Sequence, residues 1–211
     1  MSNRKPVKQI KNKNLNYDQY RILSVCYNLL YVNREQLQRI LGIKNKRTIN
    51  KKLQYLNEYF DIYKYGSYVY RLNAKGRDIL GVKPHKGDTN IEHTLLRNEA
   101  WIYYGCPDNW QIERPLEYTY DREKHTIIPD AVFSKGSTPI FVEIDRTMSM
   151  KKNVEKLEHY KRVIHIYQKQ SNLTPEVVFI TESDFRKQRL LDVAKEQGMS
   201  SVKAFTIDDI K

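Results

Sequence analysis

Residues 127–146 read IIPDAVFSKGSTPIFVEIDR, two short apolar runs joined by a Lys-Gly-Ser turn. Period-two alternation bounded by turn residues predicts a pair of adjacent strands. Acids interrupt both runs: Asp130 directly after Pro129, and Glu143 and Asp145 among Ile140, Phe141, Val142 and Ile144. Carboxylates in such surroundings need either solvent or a compensating positive group. The flanking β-branched and aromatic residues favour a shared polar pocket over three solvent-facing strand ends.

The segments around this stretch extend the pattern. Apolar spacing predicts a helix over 91–104, strands over 111–120, 126–133 and 139–145, a helix over 150–169, a strand over 176–181, a helix over 184–197 and a strand over 202–207. Hairpin-linked strands followed by strand–helix alternation imply a mixed central sheet flanked by helices, with an αβββαβ core.

The preceding half differs in charge. The chain of 211 residues carries a formal net charge of +12. Residues 1–86 hold 19 Lys and Arg against five Asp and Glu, a balance of +14, and residues 87–211 come to −2. One-sided positive charge points to a polyanion for the first half, in preference to a mere solubility device.

Residues 17–31 form an amphipathic helical pattern through Ile22, Val25 or Cys26 and Leu29. Asn33 and Gln36 make a capping box for REQLQRIL, which ends at Gly42. Asn45 caps a helix expected over 46–60, with Ile49, Leu53, Leu56 and Phe60 as its apolar stripe. Arg47, Asn50, Lys51 and Gln54 fall opposite that stripe. Then IYKYGSYVYRL (62–72) reads as a hairpin about Gly66-Ser67, and Asn73 caps a last short helix. Three helices and a hairpin are the order of a winged helix-turn-helix. Some winged helices bind protein, but Lys44, Lys46, Arg47, Lys51 and Lys52 at or beside the third helix favour duplex DNA. Arg47, Asn50, Lys51 and Gln54 would approach base edges, with Lys46 beside them and Lys64 on the wing nearest phosphates. The organisation expected is a basic tail 1–16, a winged helix 17–81, a linker 82–90 rich in turn residues, and a second domain 91–211.

Several classes are disfavoured. No stretch of about 18 apolar residues suggests a membrane span, and MSNRKPVKQIKNKN lacks the apolar run of a secretory signal. Cys26 and Cys106 have no metal-ligand spacing, so reduced cysteines and a cytoplasmic location are expected. The histidines at 85, 93, 125, 159 and 165 lack the His-x-His cluster of a tyrosine relaxase, despite 16 tyrosines. No Gly-rich loop ends in Gly-Lys-Ser/Thr, which argues against an NTPase.

The strand order with Asp130 after proline and Glu143 on the following strand resembles the PD-(D/E)xK nuclease superfamily. That resemblance implies one or two divalent cations, Mg²⁺ or Mn²⁺, held by Asp130, Glu143 and Asp145. It also implies a catalytic lysine two residues after the glutamate, where this chain has Asp145. Three accounts fit: Lys152 or Lys156 projects back from the next helix; catalysis is lost and the fold retained; or Asp145 pairs with Arg146 or a nearby lysine.

The wording Glu143-Ile144-Asp145-Arg146, the run Lys156-Leu157-Glu158-His159-Tyr160 and His93 in IEHTLLRNEAW resemble the replication-relaxation proteins of Gram-positive plasmids and other mobile elements. The resemblance covers about Tyr17 to the last strand. It implies a role in plasmid replication or DNA mobilisation and gives no firm activity. Joined to the basic first half and to Asp145 in the place of a lysine, it leads to the expectation of a DNA-binding accessory protein with a nuclease-like domain that is weak or inactive. The partners expected are duplex DNA, other replication or mobilisation proteins and a second copy of the chain. The rivals are an active endonuclease using Asp130, Glu143, Asp145 and Lys156, and a winged-helix transcriptional repressor. Taken alone, His93 reads as a hydrogen-bonded structural residue, and Tyr160 and Tyr167 read as core with Leu157 and Ile164.

Overall fold

The computed structural model describes residues 15–85, 90–146 and 149–211. The chain divides into two compact units, Met1–Gly87 and Asp88–Lys211. Most of the basic tail expected over 1–16, and positions 86–89 of the expected linker, lie outside the described residues.

The first unit runs α1 (Tyr17–Leu29), β1 (Val32–Asn33), α2 (Arg34–Leu41), α3 (Lys46–Tyr55), a 3₁₀ turn (Asn57–Tyr59), β2 (Phe60–Tyr65), β3 (Ser67–Leu72) and α4 (Ala74–Leu80). All four of these helices start on asparagine. Asn16, Asn33, Asn45 and Asn73 each accept a hydrogen bond from a first-turn amide, at 2.8 to 3.0 Å. Each satisfies a donor that the helix geometry leaves unpaired. Ile22, Cys26, Leu29, Leu37, Ile49, Leu53 and Leu56 close the core. Burial pushes the Cys26 thiol well above its ordinary range, which leaves it inert.

Two expectations are corrected here. The third helix stops at Tyr55 and does not run to 60, because Phe60 joins β2 and pairs with Leu72. Strand alternation in FDIYKY outweighs the helical spacing of Phe60. A two-residue strand, β1, also pairs with β3 through Val32↔Tyr70, giving a three-stranded sheet ordered β1-β3-β2. Gly66 alone forms the hairpin apex, at φ 61°, while Ser67 already pairs with Tyr65.

The second unit runs α5 (Ile91–Tyr103), β4 (Gln111–Ile112), β5 (Leu116–Tyr120), β6 (Glu123–Ile127), β7 (Ala131–Lys135), β8 (Thr138–Asp145), α6 (Met150–Ser171), β9 (Glu176–Thr181), α7 (Asp184–Glu196), β10 (Val202–Thr206) and α8 (Ile207–Ile210). The fold is α+β. Its five-stranded sheet is ordered β10-β9-β8-β7-β4, parallel across β10, β9 and β8 and antiparallel across β7 and β4. β5 and β6 form a separate hairpin. Two expected strands are therefore each broken. Glu113, at φ 48°, and Pro115 split 111–120, and Pro129 splits 126–133.

β8 is buried on both faces and sorts its side chains by parity. Ile140, Val142 and Ile144 join a core with Ala100 and Ile210. Phe141 joins the opposite core with Leu157, Tyr160, Val163 and Leu190. Glu143 and Asp145 continue the Phe141 row, towards α6 and α7, at the carboxyl end of the strand. Among the described residues no helix is long and apolar enough to cross a membrane.

Gly76 tests the first unit's packing. A Cβ there would lie 2.6 Å from the Tyr59 carbonyl oxygen and 2.6 Å from Leu72 Cδ1. Backbone cannot yield cheaply, so Gly76→Ala should destabilise this unit by about 1–3 kcal/mol. Urea unfolding followed by tyrosine fluorescence measures it, and an unchanged midpoint would contradict this packing.

Candidate functional site

Asp130 occupies the break between β6 and β7. Pro129 has no amide to donate to the ladder there, and the β8 amide of Ile144 donates to the Asp130 side chain, reaching Oδ2 at 2.6 Å. Its other oxygen, Oδ1, lies 3.0 Å from His93 Nε2 on α5. Burial alone would raise the Asp130 carboxyl, but His93, Lys156 and the Ile144 amide outweigh it and hold the group below its ordinary value.

Glu143 is only 2 % exposed. Lys156 Nζ is hydrogen-bonded and ion-paired to Oε2, and the Tyr160 hydroxyl donates to Oε1 at 2.6 Å. Lys156 and Tyr160 lie one helical turn apart on α6, so both descend from one face onto the same strand position. Burial pushes the Glu143 carboxyl up, aided by the Asp130 charge, to about 7. Burial would lower Lys156, but Glu143, Asp130 and Asp145 together hold it above its ordinary value, so the lysine stays charged. Burial and then Glu143 raise the Tyr160 phenol, which remains a donor. Tyr160 is thus core, as its helical position implies, and also a ligand of the carboxylate. Lys152, the other lysine that could have reached back, is exposed.

Asp145 follows a separate arrangement. Arg186 of α7 grips it with two hydrogen bonds, Nε to Oδ2 at 2.8 Å and Nη2 to Oδ1 at 2.6 Å. Asn153 Nδ2 adds a third at 2.8 Å. Arg146, its neighbour in sequence, instead pairs with Glu92 and Glu182. The three acids therefore resolve into a Glu143–Lys156–Tyr160 group with Asp130 beside it, and an Asp145–Arg186–Asn153 group. Among the described residues no three His, Cys, Asp or Glu side chains are placed to hold a metal ion together. All four oxygens of Asp130 and Glu143 already face protein donors, so a cation held by Asp130, Glu143 and Asp145 does not fit this arrangement. Sequence reasoning finds neither Arg186 nor Asn153; nothing local marks a partner 41 residues from Asp145.

The first unit presents a different surface. Lys44, Lys46, Arg47, Asn50, Lys51, Gln54 and Lys64 are all exposed. Ile49 and Leu53 face the core from the same helix, α3. Lys52 is half-buried and paired with Asp18 at 2.8 Å, which removes it from the free basic face. The polar residues of α3 divide into two rows: Asn50 and Gln54 line a groove against the β2–β3 hairpin, whereas Arg47 and Lys51 lie outside it.

Two measurements test the second unit. In metal-free buffer, carbon-detected NMR should titrate the Glu143 carboxyl near pH 7, against an ordinary 4.5. Because its folded-state value is raised, the stability it contributes is complete below about pH 4.5 and is lost as pH rises through about 7. Lys156→Met removes a charge that restrains the shift, so the midpoint should climb; a parent midpoint at the ordinary value would mean a solvated carboxylate. Separately, Arg186→Ala strands the Asp145 carboxylate, whose side chain is 1 % exposed. Allowing for the solvent around Arg186, the cost should be on the order of 2–3 kcal/mol. Adding Asp145→Asn should recover most of the urea midpoint, and a single mutant as stable as the parent would exclude the pairing.

No curated protein matches the chain. A crystal structure of protein VC1899 from Vibrio cholerae aligns with a TM-score of 0.39 at 10 % identity, over 92 % of this chain and 47 % of that one. The chain thus spans less than half of that structure's length. The family model for replication-relaxation matches residues 23–177, from the first helix of the basic unit through Asp130, Glu143, Asp145, Asn153, Lys156 and Tyr160 and short of Arg186. The chain belongs to the replication-relaxation family.

Proposed function

We propose that this protein is a DNA-binding accessory factor whose first unit is a winged helix-turn-helix, with α3 approaching duplex DNA and the β2–β3 hairpin as its wing. Family membership points to a role in replication or mobilisation. The observation that carries the DNA reading is the exposed face of α3. Among the described residues, Lys46, Arg47 and Lys51 stand free of acid partners beside Asn50 and Gln54. Arginine and carboxamides suit base edges, and lysines suit phosphates.

The second unit is read as a PD-(D/E)xK-like domain that cleaves weakly or not at all. Asp130, Glu143 and Lys156 support the likeness, with a lysine from α6 standing in for the one that Asp145 replaces. Two features weigh against efficient hydrolysis. The carboxylate oxygens of Asp130 and Glu143 are engaged by protein donors, and Asp145 is committed to Arg186. The test is supercoiled plasmid with Mn²⁺. Cleavage by the parent that disappears in Glu143→Gln would establish an active nuclease and overturn this half of the proposal.

For the DNA half, full-length protein should bind a duplex with affinity that falls steeply with added salt, because phosphate neutralisation releases counterions. Arg47→Ala with Lys51→Ala should weaken binding by about 1–3 kcal/mol for each base edge left unread, and lower the salt slope by about 1 for each phosphate left unneutralised. Fluorescence anisotropy across a salt series checks both. A double mutant indistinguishable from the parent would remove α3 from the interface.

A further inference from the structure

The groove between α3 and the β2–β3 hairpin encloses about 740 Å³, within the roughly 300–1,000 Å³ typical of small-molecule sites. Its composition is unlike that of a phosphate track. Leu53, Ile62 and Tyr70 give it an apolar base. On one side stand three carboxamides, Asn50, Gln54 and Asn57, spaced four and three residues apart along α3 and the turn that follows. On the other stand Lys64 and Tyr68, directly opposite each other in the hairpin ladder and so on one face of it. Tyr68 is 59 % exposed, a large ring left at the groove with much of its surface uncovered. Among the described residues no acid lines the groove, and Arg34 adds a second cation to Lys64.

A base pair within a duplex offers a protein only its edges, since its faces are covered by neighbouring pairs. An aromatic ring over an apolar base is suited to a face. Carboxamides, with donors and an acceptor on each side chain, are suited to the Watson–Crick edge that pairing would hide. Interleaved aromatic and basic side chains are the usual platform for unpaired bases. We infer that the groove holds an unpaired nucleobase, with Tyr68 stacked on its face, Asn50, Gln54 and Asn57 reading its edge and Lys64 on its phosphate. Arg47 and Lys51, on the neighbouring row, meet the adjoining duplex. The favoured DNA is therefore a duplex with an unpaired base beside it. This inference rests on the DNA-binding reading above and narrows its substrate.

Full-length protein is titrated by anisotropy against two DNAs of one sequence, one fully paired and one with a short unpaired bulge carrying 2-aminopurine. The bulged DNA should bind about tenfold tighter or better, with the 2-aminopurine emission changing on binding. Tyr68→Ala should bring the bulged-to-paired affinity ratio towards one and abolish the emission change, while Tyr68→Phe should preserve both. Equal affinity of the parent for the two DNAs, or a preference that survives Tyr68→Ala, overturns the base-binding groove and leaves duplex binding standing. Binding to neither DNA overturns the DNA-binding reading itself, and this inference with it.

Discussion

The ammonium of Lys156 and the phenol of Tyr160 converge on Glu143, a carboxylate 2 % exposed within a strand of the five-stranded sheet. An uncompensated charge there would cost several kcal/mol. The compensation fixes how α6 lies on the sheet. Once Lys156 and Tyr160 are set over Glu143, Asn153 arrives at Asp145 one turn earlier, and Leu157, Val163 and Ile164 fall among Phe141, Val177 and Phe179. Arg186 then ties α7 to the same strand through Asp145. Both helices are thus keyed to β8 by polar interactions at its carboxyl end and by apolar packing behind.

Much of this is legible locally. Asparagine before an amphipathic run marks a helix start because its side chain satisfies an amide that nothing else reaches, and Asn33, Asn45 and Asn73 behave so. The strand pair about Gly136 is equally plain, since alternation and a turn residue agree. What is not legible locally has a physical reason. Phe60 satisfies both a helical and a strand pattern, and its pairing with Leu72 decides between them. Val32 shows no strand signal at all, because β1 exists only by virtue of the edge that β3 offers it. Pro129 sits inside an apolar run that reads as one strand, yet its missing amide is the reason the strand ends.

The site divides the same way. The acids stand out because they interrupt apolar strands, and Lys156 because it lies on the helix that follows. Which lysine reaches back depends on position along the helix axis: Lys152, Lys156 and Tyr160 follow at four-residue intervals, and the latter two lie over Glu143 while Lys152, one turn earlier, is exposed. Arg186 is invisible in the sequence, being one of many cations on a helix that is chiefly polar. On α3, sequence arithmetic places Arg47, Asn50, Lys51 and Gln54 together on the polar side. The two pairs nevertheless run in rows about 60° apart, and which row faces the hairpin is a tertiary fact.

Position 145 shows how far the two groups of acids depend on each other. In the nuclease-like reading a lysine belongs there, and its absence looks like a single substitution away from catalysis. The surroundings argue otherwise. A cation at 145 would face the guanidinium of Arg186 and the carboxamide donor of Asn153, both now directed at Asp145, in a place where its own charge could not be solvated. Lys156, already charged over Glu143, would be a further neighbour of like sign, since the Asp145 charge now helps to hold it protonated. Residues 145, 153 and 186 therefore form one electrostatic unit, with Lys156 coupled to it. With the lysine on α6 and not on the strand, an anion at 145 satisfies the charges grouped at positions 143, 145, 156 and 186, and Arg186 is the residue that makes this anion stable.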